Sequence, residues 1–178
     1  MRWPRVALEA ALASLRRFDE RYGQRFNRAT RYAPVLVPAR LASRLGDGPV
    51  WYALIGAIAL LDPDDGPEVA LRMAAAGAIG LAVYQLLKRG TRRPRPFEVH
   101  ASIRAAAVPL DRFSFPSGHT LHAVAFTAVA LAHYPALAPL LVPLTVAIAL
   151  SRVVLGLHYP SDVIAGGAIG AAIALAFA

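Results

Sequence analysis

Five apolar stretches, at positions 48–61, 69–87, 121–131, 136–150 and 163–178, are separated by polar, acidic or proline-containing punctuation. They restrict the fold more than any other feature of the chain. A bilayer core about 30 Å thick takes roughly 20 helical residues. Each stretch is therefore predicted to be a membrane helix, the first and third borrowing flanking residues such as Leu45 or His119 and Thr120. A buried bundle in a water-soluble protein needs runs of only about 10–14 residues, and the second and fourth runs and the C-terminal tail are longer. Composition agrees: 57% of the 178 residues are hydrophobic and 17% charged, against roughly half and about a quarter in soluble domains. Residues 48–178 are expected to form an all-α integral membrane bundle of about five transmembrane helices.

Residues 1–47 differ in kind. They hold ten Arg against four acids, Glu9, Asp19, Glu20 and Asp47, for a net +6. Leu8, Leu12, Leu15, Phe18, Tyr22 and Phe26 recur every three or four residues, the period of one apolar helix stripe opposite an Arg-rich face. The pattern predicts an interfacial amphipathic helix lying among headgroups and drawn to anionic membrane lipids. Packing against the end of the bundle is the alternative. The stretch lacks a compact apolar centre with a small-residue cleavage site, so a cleavable signal is not expected. Its apolar stripe also argues against nucleic acid as a partner.

The whole chain carries +8, and its distribution is informative. Lys88-Arg-Gly-Thr-Arg-Arg-Pro-Arg-Pro96 places five basic residues in eight positions. Basic anchors commonly follow a membrane helix. Pro94 and Pro96, however, stop this helix, so Lys88 caps it while Arg95 lies on an extended segment able to fold back. Two cations could then meet on one anion. Phe115-Pro-Ser-Gly-His-Thr120 opens the third apolar run. Its unpaired N–H groups, the Gly118 backbone and the Ser117 hydroxyl form a cradle for phosphate oxygens, with the positive end of the helix dipole behind them. His119 stands at the rim.

After the fourth run, the segment 151–162 supplies Arg152, a bidentate phosphate clamp. It also supplies His158 and, four residues later, Asp162, close enough to hold one imidazole nitrogen and aim the other as a nucleophile. Alone, each of the three segments reads as an anchor or a helix cap. Counting spans places them on the same membrane face, where together they form a site for an anionic substrate.

Lys88-x6-Arg95-Pro96, Pro116-Ser117-Gly118-His119 and Ser151-Arg152-x5-His158-x3-Asp162 resemble, in order and spacing, the three-part signature of the type 2 phosphatidic acid phosphatase superfamily. The resemblance covers residues 50–178 and leaves the basic N-terminal segment outside. It implies a metal-independent phosphatase without cofactors, acting through a phosphohistidine on lipid phosphates of the phosphatidate, phosphatidylglycerol phosphate or polyprenyl diphosphate class. By the same resemblance, His158 is the nucleophile, Asp162 its orienting partner and His119 the general acid. Lys88, Arg95, Ser117, Gly118 and Arg152 would hold the phosphoryl oxygens. Phosphoryl transfer is largely positioning and charge stabilisation, so fixed cations can take the part that Mg²⁺ plays elsewhere. The chain has no Cys and no further compact His/carboxylate cluster, so no metal site is expected.

Arg104 and Arg112, in the loop from Phe97 to Phe115, are the expected headgroup selectors. His122, one turn past His119, is expected to line the site, His133 to sit at the opposite membrane face, and His100 to lie in the loop. Arg72, within the second span, should snorkel or face the bundle interior. Gly166 and Gly170, at GxxxG spacing, smooth one face of the last helix for internal packing or, alternatively, for a homodimer contact. The competing functional reading is a catalytically silent homologue acting as a lipid-binding scaffold. Vanadium-dependent haloperoxidases share a related constellation but resemble large soluble proteins. The expected location is the bacterial cytoplasmic (inner) membrane. Positive-inside charge places the site in the cytoplasm, because Asp62-Pro-Asp-Asp-Gly-Pro-Glu68 is acidic while the N-terminal segment and the Lys88 loop are basic. The resemblance includes bacterial relatives that work on the outer face, which leaves the side open.

Overall fold

The computed structural model describes residues 3–177, and side chains from residue 7 onward. Met1, Arg2 and Ala178, at the outer ends of the two expected segments, lie outside it. The N-terminal segment is two helices rather than one, α1 (Trp3–Arg28) and α2 (Ala33–Leu45), joined through a single 3-10 turn. The five apolar runs each become one helix: α3 (Pro49–Leu61), α4 (Gly66–Thr91), α6 (Gly118–His133), α7 (Ala138–Val154) and α8 (Pro160–Ala174). Between α4 and α6, a one-turn α5 (Pro96–Val99) precedes a long irregular loop. Among the described residues there are no strands.

Local chemistry sets the helix ends. Proline occupies the first turn of α3, α4, α7 and α8, where its missing N–H costs nothing. α4 stops where Arg92 turns left-handed, at φ 47°, ahead of Pro94 and Pro96. Ser117 caps α6 by accepting the Thr120 N–H, and Asp162 Oδ2 caps α8 by accepting the Tyr159 N–H at 2.8 Å. Gly156, at φ 74°, lets the chain reverse after α7, so that both Leu157 and His158 donate their N–H to the Arg152 carbonyl at 3.1 Å.

α6 is the central helix, packed on α8, α4 and α7. The Gly166/Gly170 face of α8 is closed against it: a methyl group at either glycine would collide with the carbonyl oxygen of Ser117 or Leu121. That surface is consumed inside the chain, so the alternative of a homodimer contact there does not hold. Trp51, Met73, Ala76, Phe126, Val129, Leu141 and Ile148 form the main core. Large apolar side chains also cover the outside, including Tyr52, Leu60, Leu71, Leu86, Leu140, Ile164 and Leu175. An apolar exterior of this extent is a lipid-facing rather than a water-facing surface.

Two segments, Gly66–Val99 with α4 and Pro135–Val154 with α7, are long and apolar enough to cross a bilayer. α3, α6 and α8, at 13, 16 and 15 residues, rise only about 20–24 Å at roughly 1.5 Å per residue. By length and apolar composition, two of the five expected spans are candidates to cross a bilayer. Arg72 on α4 pairs with Glu68 at 2.6 Å and approaches His133 Nε2 at 3.4 Å, at the opposite end of the bundle from Lys88.

Candidate active site

The C-terminal ends of α4 and α7, the N-terminal ends of α6 and α8 and the 100–117 loop gather at one end of the bundle. All of these but α8, together with the turn between α2 and α3, line a cavity of about 500 Å³. Lys88, Arg95, Gly118, His119, Arg152 and His158 line its polar end; Trp51, Ile55, Ala74, Gly77, Leu81 and Phe126 line an apolar extension along α3, α4 and α6. The three sequence segments therefore meet at one end of the bundle.

Lys88 and Arg95 are nearly fully buried, 5% and 1% exposed. They converge on one carboxylate oxygen: Lys88 Nζ donates to Asp111 Oδ1 at 2.7 Å and Arg95 Nη2 donates to the same atom at 2.9 Å. Arg95 also donates to the Asp111 and Leu157 carbonyls. Burial alone would raise the Asp111 carboxyl, but the hydrogen bond and charge of Lys88, then the charge of Arg95, outweigh it and hold the group below its ordinary 3.8. Arg152 donates through Nη1 to Ser43 Oγ on α2, while its buried Nε has no protein partner.

His158 is 2% exposed, with Nε2 3.5 Å from Arg95 Nη1 and Nδ1 3.7 Å from Asp162 Oδ2. The latter spacing is longer than a hydrogen bond, and Nδ1 has no hydrogen-bond partner. Burial first, then the charges of Arg152, Arg95 and Lys88, hold the imidazole well below its ordinary 6.5, so it is neutral at pH 7. Asp162 is clamped from behind: Arg93 Nη1 donates to its Oδ1 at 2.6 Å. Arg93 Nη2 donates to Asp19 Oδ2 on α1 at 2.7 Å, and the guanidinium lies 4.2 Å from the centre of the Tyr159 ring. Asp19 also accepts the Ser161 N–H at 2.9 Å and its hydroxyl at 2.6 Å.

His119 Nε2 lies 2.6 Å from Asp47 Oδ1, in the turn between α2 and α3. Gly118 and His119 face the cavity, whereas the Ser117 hydroxyl is turned to Thr120 Oγ1 at 2.9 Å and is absent from the lining. His122 lines the wall, held between the Gly118 and Gly77 carbonyls. Neither expected headgroup selector reaches the cavity. Arg104 is committed to Thr30, through Oγ1 at 2.9 Å and through its carbonyl, because Asn27 bonds both the N–H and the carbonyl of Arg104 at 3.0 Å and pins that part of the loop to α1. Arg112 is exposed beside Phe113.

The sequence reading missed four side chains: Asp111, Arg93, Asp19 and Asp47. Asp111 had a signal, as the one acid between Val99 and Ser117 in a loop flanked by expected anion-binding cations. Arg93 was hidden in a basic run, and Asp19 and Asp47 lay outside the motifs altogether.

An all-helical bundle with buried cations, two histidines and a carboxylate at one end, running into an apolar groove, has the architecture of a membrane phosphatase. The family model of the PAP2 superfamily matches residues 69–178, and the chain belongs to that superfamily of lipid phosphate phosphatases. Over 144 residues it is 42% identical to a decaprenylphosphoryl-5-phosphoribose phosphatase of Mycobacterium tuberculosis, covering 78% of this chain and 76% of that one. The crystal structure of Aquifex aeolicus LpxE superposes with a TM-score of 0.76 at 25% identity, over 86% of this chain and 90% of that one. A transmembrane PAP2-type phosphatidylglycerolphosphate phosphatase from Bacillus subtilis superposes at 0.73 with 22% identity, over 97% and 89%, and shows the same fold.

Proposed function

We propose that the protein hydrolyses a lipid phosphate monoester or diphosphate without a metal, through a phosphohistidine on His158. The observation that carries this reading is the two-part cavity. Its polar end offers cations and a neutral imidazole, and its apolar end offers a groove for a lipid tail. All five apolar helices would then serve as spans, in a bacterial inner membrane, with α1 and α2 at the surface. The exposed Leu8, Leu12, Leu15 and Phe18 of α1 would enter the headgroup layer, beside anionic lipid attracted by its arginines.

In the proposed reaction, Lys88, Arg95, Arg152 and the free N–H groups at the start of α6 bind the phosphoryl oxygens. His158 Nε2 attacks phosphorus, the P–O bond to the lipid-side oxygen breaks, and His119 gives that oxygen a proton. Water then attacks the phosphohistidine as His119 takes a proton back, releasing inorganic phosphate and free His158. Asp162 approaches Nδ1 and favours the tautomer with Nε2 unprotonated. Ser117 contributes as the cap that starts α6. The similarity to a polyprenyl-linked sugar phosphatase favours a polyprenyl-type tail over a diacylglycerol.

The test is phosphate release by detergent-purified protein in excess EDTA from phosphatidate, phosphatidylglycerol phosphate, polyprenyl diphosphate and polyprenyl-phosphosugar phosphates, beside His158→Ala. Release abolished by the substitution is expected, with a polyprenyl substrate ranked first. A folded wild-type protein that releases nothing from any of them contradicts the reading.

A further inference from the structure

We propose that Asp111 is a tethered competitor for the phosphate-binding cations, and that it sets a charge threshold for occupying them, which doubly charged phosphoryl groups pass and singly charged phosphodiesters do not. The inference rests on the phosphatase reading above and adds a specificity-determining residue to it. Lys88 and Arg95 are buried and meet on a single oxygen of Asp111. One of their two positive charges is therefore offset by the protein's own carboxylate, at the polar end of the cavity, beside His158. The two cations sit on rigid supports, the last turn of α4 and the proline-bracketed segment before α5. Asp111 does not: it belongs to the irregular loop, its side chain is 38% exposed, and its neighbour Leu110 is 68% exposed. Arg95 and Lys88 hold the Asp111 and Phe113 carbonyls, so what can leave the trio is the exposed Asp111 carboxylate, by rotation of its side chain.

A phosphate held by Lys88 and Arg95 must take the contacts that Asp111 Oδ1 now makes. The exchange has a charge requirement. A terminal phosphate monoester brings two negative charges and replaces one, a net gain in attraction to buried cations. A phosphodiester headgroup brings one and replaces one, with no electrostatic gain to offset displacing the carboxylate. A membrane enzyme faces phosphodiester lipids at concentrations far above its substrate, so a built-in carboxylate keeps the cations from being filled by bulk lipid.

The test compares wild type with Asp111→Asn and Asp111→Ser in detergent, with folding checked by thermal melting. Binding of inorganic phosphate is measured by calorimetry, which needs no turnover, and inhibition by phosphatidylglycerol, a phosphodiester, is measured on lipid phosphate hydrolysis. Removing the competing charge is expected to tighten phosphate about tenfold, the order of one charge-assisted contact, and to make phosphatidylglycerol inhibitory where the wild type resists it. Unchanged or weaker phosphate binding in both folded variants overturns the proposal, and so does unchanged resistance to phosphatidylglycerol. If turnover still depends on His158 in that case, the phosphatase reading stands. Absence of turnover in the wild type defeats that reading instead, while phosphate binding still decides the role of Asp111.

Discussion

Arg93 and Asp162 form the shortest ionic contact behind the His158 imidazole, 2.6 Å from Nη1 to Oδ1, and the same guanidinium is held by Asp19 of α1 at 2.7 Å. Asp19 is 1% exposed and Asp162 is fully buried, so Arg93 is the charge that keeps two desolvated carboxylates in place. The N-terminal helix is thereby latched to the carboxylate that lies 3.7 Å from His158 Nδ1.

Arg93→Gln is expected to lower kcat about 10–100-fold with a smaller change in KM, because it disturbs the orientation of the nucleophile rather than the phosphate cations. Asp19→Asn should give a weaker form of the same effect, and the double variant should be no worse than Arg93→Gln alone, since both act on one network. Steady-state kinetics on the four proteins checks this; a loss confined to KM, or strictly additive losses, would contradict it.

The depressed His158 predicts an unusual acid limb. Burial and the surrounding cations disfavour the protonated ring, so the neutral imidazole, the form the proposed attack needs, persists as pH falls through 6.5. kcat/KM, corrected for the substrate's own ionisation, is expected to remain flat at 6.5 and to fall only at lower pH. The same depression costs stability in acid: below 6.5 the unfolded chain takes up a proton that the folded one refuses, so stability declines as pH falls from 6.5 toward the folded value. A limb centred at or above 6.5 would mean that the cations do not act on this ring.

Arg104 joins the loop to Thr30, and Asn27 brackets the Arg104 backbone. Arg104→Ala is expected to destabilise the protein by about 1–2 kcal/mol through lost hydrogen bonds, while leaving the ranking of lipid substrates unchanged. Thermal melting beside the substrate panel separates the two effects, and a changed ranking at unaltered stability would restore the headgroup role.

Gly170 abuts the Leu121 carbonyl. Gly170→Val should therefore force α8 away from α6, with a cost on the order of 1–3 kcal/mol for overpacking and reduced activity, because α8 carries Asp162. Unchanged melting and activity would show that the two helices do not pack this closely.

Helix positions and the meeting of the three polar segments were legible because apolar runs and span parity are periodic properties of the chain. What decides the finer site is long-range. Asp19 reaches Ser161 across 142 positions and Asp47 reaches His119 across 72, distances over which no spacing rule operates. Arg104 misled for the opposite reason: a basic residue in a polar loop has the look of a headgroup ligand, but its partner is Thr30, a neutral side chain and carbonyl in another helix junction. The division at residue 47 likewise hides the fact that Ser43 and Asp47 touch Arg152 and His119.

The proposed reaction carries a phosphoryl group covalently on His158. The direct measurement is rapid quenching of wild type and His158→Ala into alkali, where phosphohistidine survives, during turnover of a lipid substrate labelled in its terminal phosphate, followed by mass spectrometry of the labelled peptide. Label on His158 in the wild type and none in the variant is the expected result. Continuing turnover by wild type with no protein-bound label, or turnover retained by His158→Ala, would contradict it.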